Sequence, residues 1–93
     1  MEDVDAIIIS AKAKINEELP EEALVLLEKL DQTQNSEVLF LKGEICFKLE
    51  KWGEALNHFS FYHEQFPDNK KAVSYISMIQ NILGFFHRDL LNP

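Results

Sequence analysis

Residues 36–67, SEVLFLKGEICFKLEKWGEALNHFSFYHEQFP, decide the fold. They read as a helix, a turn and a second helix, with the rest of the chain supplying partners for both. Gly43 sits in the middle of an apolar-periodic helix, where glycine costs about 1 kcal/mol relative to alanine. A helix keeps such a residue where the missing side chain lets another helix approach, and Ala55 offers the same small profile from the second helix. Gly43 and Ala55 are therefore expected at the contact point of the hairpin, with Leu39, Cys46 and Phe59 filling the space around it. Pro67 cannot continue a helix and biases Phe66 toward extended geometry, which ends the second one.

Leu39, Gly43, Cys46, Ala55, Phe59 and Pro67 fall on the spacing W-x2-L-G-x2-Y, A-x3-F, P, and the stretch resembles a tetratricopeptide repeat. It departs from the family where Leu39 replaces Trp, Lys42 replaces Leu and Cys46 replaces Tyr. The first and last are changes of core size; the Lys42 stem can cover apolar surface while its ammonium reaches water. The resemblance implies an all-α fold, antiparallel helix–turn–helix repeats stacked as a short right-handed superhelix of about five helices. It also implies a module that binds another protein, not an enzyme.

Upstream, Val4, Ile7, Ile8, Ala11 and Ile15 follow one buried helical face and predict a helix over 3–16. Asp3 or Asp5 stands near the positive end of its dipole. Asn16 to Leu19 make a turn, Pro20 suits the first position of the next helix, and Ala23, Leu24, Leu27 and Leu30 mark that helix's buried face. A shift of 32 residues places Ala11 on Gly43, Ile15 on Phe47, Glu22 on Glu54, Ala23 on Ala55, Leu24 on Leu56 and Leu27 on Phe59. A shortened first repeat then occupies 4–35 and a second 36–69. Asp68 and Asn69 offer N-caps to a last helix starting near Lys70, with the stripe Ala72, Val73, Ile76, Ile79, Leu83 and Phe86. Val73 and Ser77 lie 34 residues after Leu39 and Gly43, so this helix keeps the register and caps the stack over 70–84. Gly84 is expected to cap or kink it, and 85–93 to form an apolar tail, all within one domain spanning 1–93.

The composition fits one small globular domain: 93 residues, 46% apolar and 27% charged. A net charge of −7 argues against nucleic acid or a membrane surface as partner, since both select clustered Lys and Arg. The charge is −6 over 1–35, −2 over 36–67 and +1 over 68–93. A single cysteine, Cys46, excludes an internal disulfide and fits a reducing compartment. The opening MEDVDAIIIS lacks the basic start of a signal peptide, and no stretch approaches the ~18 apolar residues of a membrane span. The expected location is the cytoplasm.

In the family that the stretch resembles, the first helices of successive repeats line a groove that holds a segment of a partner. The resemblance carries this groove onto Ile8, Lys12, Ile15 and Asn16 of the first repeat. From the second it takes Glu37, Phe40, Leu41, Glu44, Phe47 and Lys48, and from the last helix Lys71, Ser74, Tyr75 and Met78. The residues themselves single out Phe40 and Phe47. Leu39, Gly43 and Cys46 already take the packing face, so the two rings extend the apolar surface to a second side. Such a helix is either buried between repeats or presents a patch for an apolar or aromatic anchor, with Lys12, Lys48 and Lys71 at its rim for a carboxylate. Relatives that grip the acidic tails of heat-shock chaperones use two Lys, two Asn and an Arg. Only Lys71 matches that clamp, while Ile8, Lys12, Leu41 and Tyr75 hold its other positions, so this ligand class is not expected.

Chemistry finds little purchase elsewhere. His58 and His63 are five apart and off a common helix face, and His87 stands near Arg88 and Asp89. Cys46 has no base at a local spacing, and its slot predicts a buried small hydrophobe. Glu17, Glu18, Glu21 and Glu22 straddle a turn and a helix start, and the glycines Gly43, Gly53 and Gly84 are isolated. No enzymatic role, cofactor or metal is expected. The rival to groove binding is a self-associating structural adaptor. Ile82, Phe85, Phe86, Leu90 and Leu91 exceed what one buried face needs, and either the tail folding back over the last helix or a homodimer through that helix and tail would cover them.

Overall fold

The computed structural model describes residues 4–30 and 35–86, with side chains as far as Gly84. Five helices follow in order: α1 Val4–Asn16, α2 Pro20–Leu27, α3 Ser36–Lys48, α4 Trp52–Gln65 and α5 Lys70–Phe86. No strand occurs among the described residues. Each helix packs on the next in line, and the protein is an all-α helical repeat.

The repeat is visible in single hydrogen bonds. After α1, the N–H groups of Glu17, Glu18 and Leu19 donate to the carbonyls of Ala13, Ile15 and Lys14. After α3, 32 positions on, Leu49, Glu50 and Lys51 donate in the same pattern to Ile45, Phe47 and Cys46. Glu18 and Glu50 hold φ of 62° and 60°, the left-handed conformation of a Schellman-type helix end, where glycine is the usual residue. The following helices start alike, with Ala23 N–H bonded to Leu19 C=O and Ala55 N–H to Lys51 C=O. Two separate stretches of sequence thus build one turn twice.

The other helix ends follow local chemistry. Pro20 opens α2 without losing a bond, because its missing N–H has no partner in a first turn. The Asn35 side chain caps α3 by accepting from Glu37 and Val38 N–H, and Asn69 Oδ1 caps α5 by accepting from Ala72 N–H at 3.0 Å. Phe66, at φ −132° and ψ 68°, leaves the helix before Pro67. Two expectations shift here. Helix α2 ends at Leu27, so Leu30 reaches the core from beyond the helix. Helix α5 runs through Gly84 to Phe86, and Gly84 lacks the positive φ that would end it.

Two apolar clusters share α3 between them. Val38, Leu41 and Ile45 pack with Ile7, Ile8 and Ala11 of α1 and Ala23 and Leu27 of α2. On its other side, Cys46 joins Ala55 and Phe59 of α4 and Ile79 of α5. Gly43 is a close-contact point: a Cβ there would stand 2.8 Å from Phe59 Cζ. The fully buried Phe59 ring points its tip into the notch that the glycine leaves. Lys42 is only 8% exposed, which fits a stem laid against apolar surface.

Candidate functional site

The odd-numbered helices α1, α3 and α5 are linked along one face by polar side chains. Lys12 Nζ of α1 donates to Glu37 Oε2 of α3 at 3.1 Å. Glu44 of α3 accepts from the Tyr75 hydroxyl of α5 at 3.0 Å and stands 3.8 Å from Lys71 Nζ. Lys71 also lies over the Phe40 ring, 5.7 Å from its centroid. These ion pairs are largely exposed, so each adds little to stability. What they do is hold the charged tips in register across three helices.

Beneath Lys71, the rings form one assembly centred on Tyr75. Tyr75 stacks on Phe59, with centroids 4.5 Å apart and planes 8° from parallel. It meets Phe47 edge-on at 5.1 Å and Phe40 at 6.1 Å. Phe40 also contacts Phe59 and Tyr62, and Phe47 contacts Trp52. Burial, then the Glu44 charge and the bond to it, push the Tyr75 hydroxyl up to about 12. Tyr75 therefore stays a neutral donor and fastens α5 to α3.

The groove residues expected from the sequence divide three ways. Ile8 and Leu41, 3% and 5% exposed, are not groove residues; both face the core between α1, α2 and α3. Phe40 and Phe47 are half-buried in the ring assembly, so the second apolar side of α3 mainly seats α5. On the surface remain Lys12, Asn16, Glu37, Lys48, Lys71, Ser74 and Met78, the last 44% exposed, beside the half-buried Glu44 and Tyr75. Ile15, Asn16 and Lys48 come together with Glu18 and Pro20 around a shallow depression of ≈ 610 Å³. Lys48 forms no ion pair among the described residues.

Of the residues assigned to a dimer surface, Ile82 is half-buried and follows Lys71, Tyr75 and Met78 at helical spacing. The side chains of Phe85 and Phe86, and residues Leu90 and Leu91, lie outside the described part.

Cys46, His58 and His63 turn polar atoms inward. Cys46 Sγ is buried and lies 3.9 Å from Glu54 Oε2; burial, reinforced by Glu54, pushes the thiol up to about 11. Burial and the nearby Lys42 charge lower His58, against an opposing pull from Glu54. The Nδ1 atoms of His58 and His63 are buried without a hydrogen-bond partner among the described residues. Among these residues no group of three or more His, Cys, Asp or Glu could hold a metal ion, and no helix is long and apolar enough to cross a membrane.

No family model, curated protein or solved structure matches the chain.

Proposed function

We propose that this is a protein-binding module related to tetratricopeptide repeats, which holds a peptide or helix of a partner along the face shared by α1, α3 and α5. The observation that carries this reading is the character of that face in a chain of net charge −7. Lys12, Lys48 and Lys71 are exposed on it, Lys48 with no ion pair among the described residues. Beside them lie the half-buried Phe40 and Tyr75 and the exposed Met78. An aromatic or aliphatic anchor would lie against Met78 and the Tyr75 edge, with a carboxylate of the same segment reaching Lys48 or Lys71. The free thiol of Cys46 fits action in a reducing cytoplasm.

Phe40 and Phe47 are poor probes of this face, because truncating them would loosen the ring assembly that holds α5. Exposed residues serve better. Partner capture from the native cell, with mass spectrometry, should give a protein retained by the wild type and by Phe61→Asp on the outer side of α4. The same protein should be lost from Lys48→Glu/Lys71→Glu and from Met78→Asp. Equal retention by all the variants would overturn the assignment of the face.

A further inference from the structure

Helix α5 repeats α3 in register but leaves one side uncovered. Gly43 and Cys46 lie on the side of α3 on which α4 packs, and 34 positions after Leu39, Gly43 and Cys46 stand Val73, Ser77 and Gln80. Leu39 is 3% exposed, whereas Val73 is 44% exposed. The buried stripe expected for α5 therefore loses Val73, and among the described residues no helix plays toward α5 the part that α4 plays toward α3. In that place lies a groove of ≈ 470 Å³ between α4 and α5, lined by Ser60, His63, Val73, Ile76, Ser77 and Gln80 together with Glu64. The partnerless His63 Nδ1 belongs to a residue of its wall.

We infer that a second copy of this chain covers the groove, through antiparallel packing of the two α5 helices about a two-fold axis. Charge comes first. Residues 72–84, AVSYISMIQNILG, hold no acidic or basic residue in a chain that is 27% charged. Two molecules of charge −7 repel, and this stretch lets them meet without opposing like charges directly. Shape comes second. Val73, Ser77, Gln80 and Gly84 recur at the i, i+4, i+7, i+11 spacing of one helix side. In an antiparallel pair centred between Met78 and Ile79, Val73 faces Gly84 of the other copy and Ser77 faces Gln80, so each larger side chain meets a smaller one. The match is self-complementary, as a two-fold interface must be. Gly84 comes third. Gly43 has its reason inside the chain, in Phe59. Among the described residues a Cβ on Gly84 would meet nothing within 4 Å, although glycine within a helix costs about 1 kcal/mol. A helix from outside would supply the close approach that no described residue does.

This surface lies on the opposite side of α5 from Lys71, Tyr75 and Met78, so the pair leaves the proposed partner-binding face open. The test is sedimentation equilibrium of the full chain from low micromolar to several hundred micromolar. The wild type should show a concentration-dependent dimer. Ser77→Glu and Gln80→Glu, both at exposed positions, should weaken it by about tenfold or more with unchanged far-ultraviolet circular dichroism. Register is read in a Cys46→Ala background by mixing Ser77→Cys chains with Gln80→Cys chains under mild oxidation, where the mixed disulfide should exceed both homodimers. A wild type that stays monomeric throughout overturns the inference. So does a dimer that survives both glutamates but is lost on Met78→Asp. Failure here leaves partner capture by Lys48 and Lys71 untouched, so the two readings fall separately.

Discussion

Replacing Gly43 with alanine should destabilise the protein, although alanine is the better helix former. Propensity alone favours the change by about 1 kcal/mol. Against it, the new Cβ would stand 2.8, 2.9 and 3.0 Å from Cζ, Cε1 and Cε2 of Phe59. Carbon pairs prefer ~3.5–4.0 Å, so the ring tip must retreat by about 0.7 Å. It points tip-first at Gly43, and backing out along its own axis means moving the α4 backbone. Tyr75 is stacked on it at 4.5 Å and Phe40 lies edge-on at 5.3 Å, so sideways escape disturbs the seat of α5 as well. Overpacking of this kind costs roughly 2–3 kcal/mol, which leaves a net loss of about 1–2 kcal/mol. Urea unfolding followed by Trp52 fluorescence and circular dichroism should show the midpoint falling by about 1–2 M at an unchanged slope near 1 kcal/mol/M. In a Phe59→Leu background the same alanine should cost at least about 1 kcal/mol less, since the ring tip is gone. A Gly43→Ala protein with a raised midpoint, or an equal cost in both backgrounds, would refute the close-contact reasoning.

Further outcomes follow from the turns and the inward-facing groups. Glu50→Gly should raise stability by about 0.5–1 kcal/mol in the same urea assay, because it relieves a left-handed non-glycine residue at the price of a looser unfolded chain; a loss of stability would contradict the helix-end geometry. His58 is held below its usual 6.5, so between the lowered value and 6.5 the unfolded chain binds more protons than the folded one. Stability should therefore fall as pH drops through that window, and His58→Gln should flatten this part of the curve; an unchanged slope would count against the burial of His58. Cys46, buried and pushed from 9.0 to about 11, should react with a disulfide reagent at pH 7.5 at least about 100-fold more slowly in the native protein than in denaturant. Comparable rates would mean that α3 and α4 do not close over it.

Several helix ends were legible because they carry their own punctuation: Pro20, Asn69 and Pro67 act on the backbone next to them, whereas the Asn35 cap went unread. Gly43 was legible too, since a glycine inside an apolar helix calls for a neighbour. Phe59 was legible among its neighbours, but not that its ring tip fills the notch, because which α4 atom reaches it depends on how far one helix slides past the other. The groove was harder. A helical wheel counts apolar sides but not how many neighbours cover them, and α3 is covered by α1 and α2 on one side and by α4 and α5 on another. Ile8 and Leu41 went inside for that reason, and Phe40 and Phe47 became the seat of Tyr75. Val73 erred the other way: its register copies Leu39, yet a register position is buried only when the next helix is there to bury it. The left-handed Glu18 and Glu50 gave no signal in composition, since glutamate is unusual at such positions.

The duplicated turn also makes the chain modular in a literal sense. Leu19 (φ −119°, ψ 61°) and Lys51 (φ −89°, ψ 74°) enter their following helices with closely similar backbones. A tandem copy of residues 20–51 would therefore join Lys51 to Pro20 at a corner much like the one where Leu19 already meets it. Molecules lengthened by whole copies would form a ladder, with unfolding cooperativity growing rung by rung.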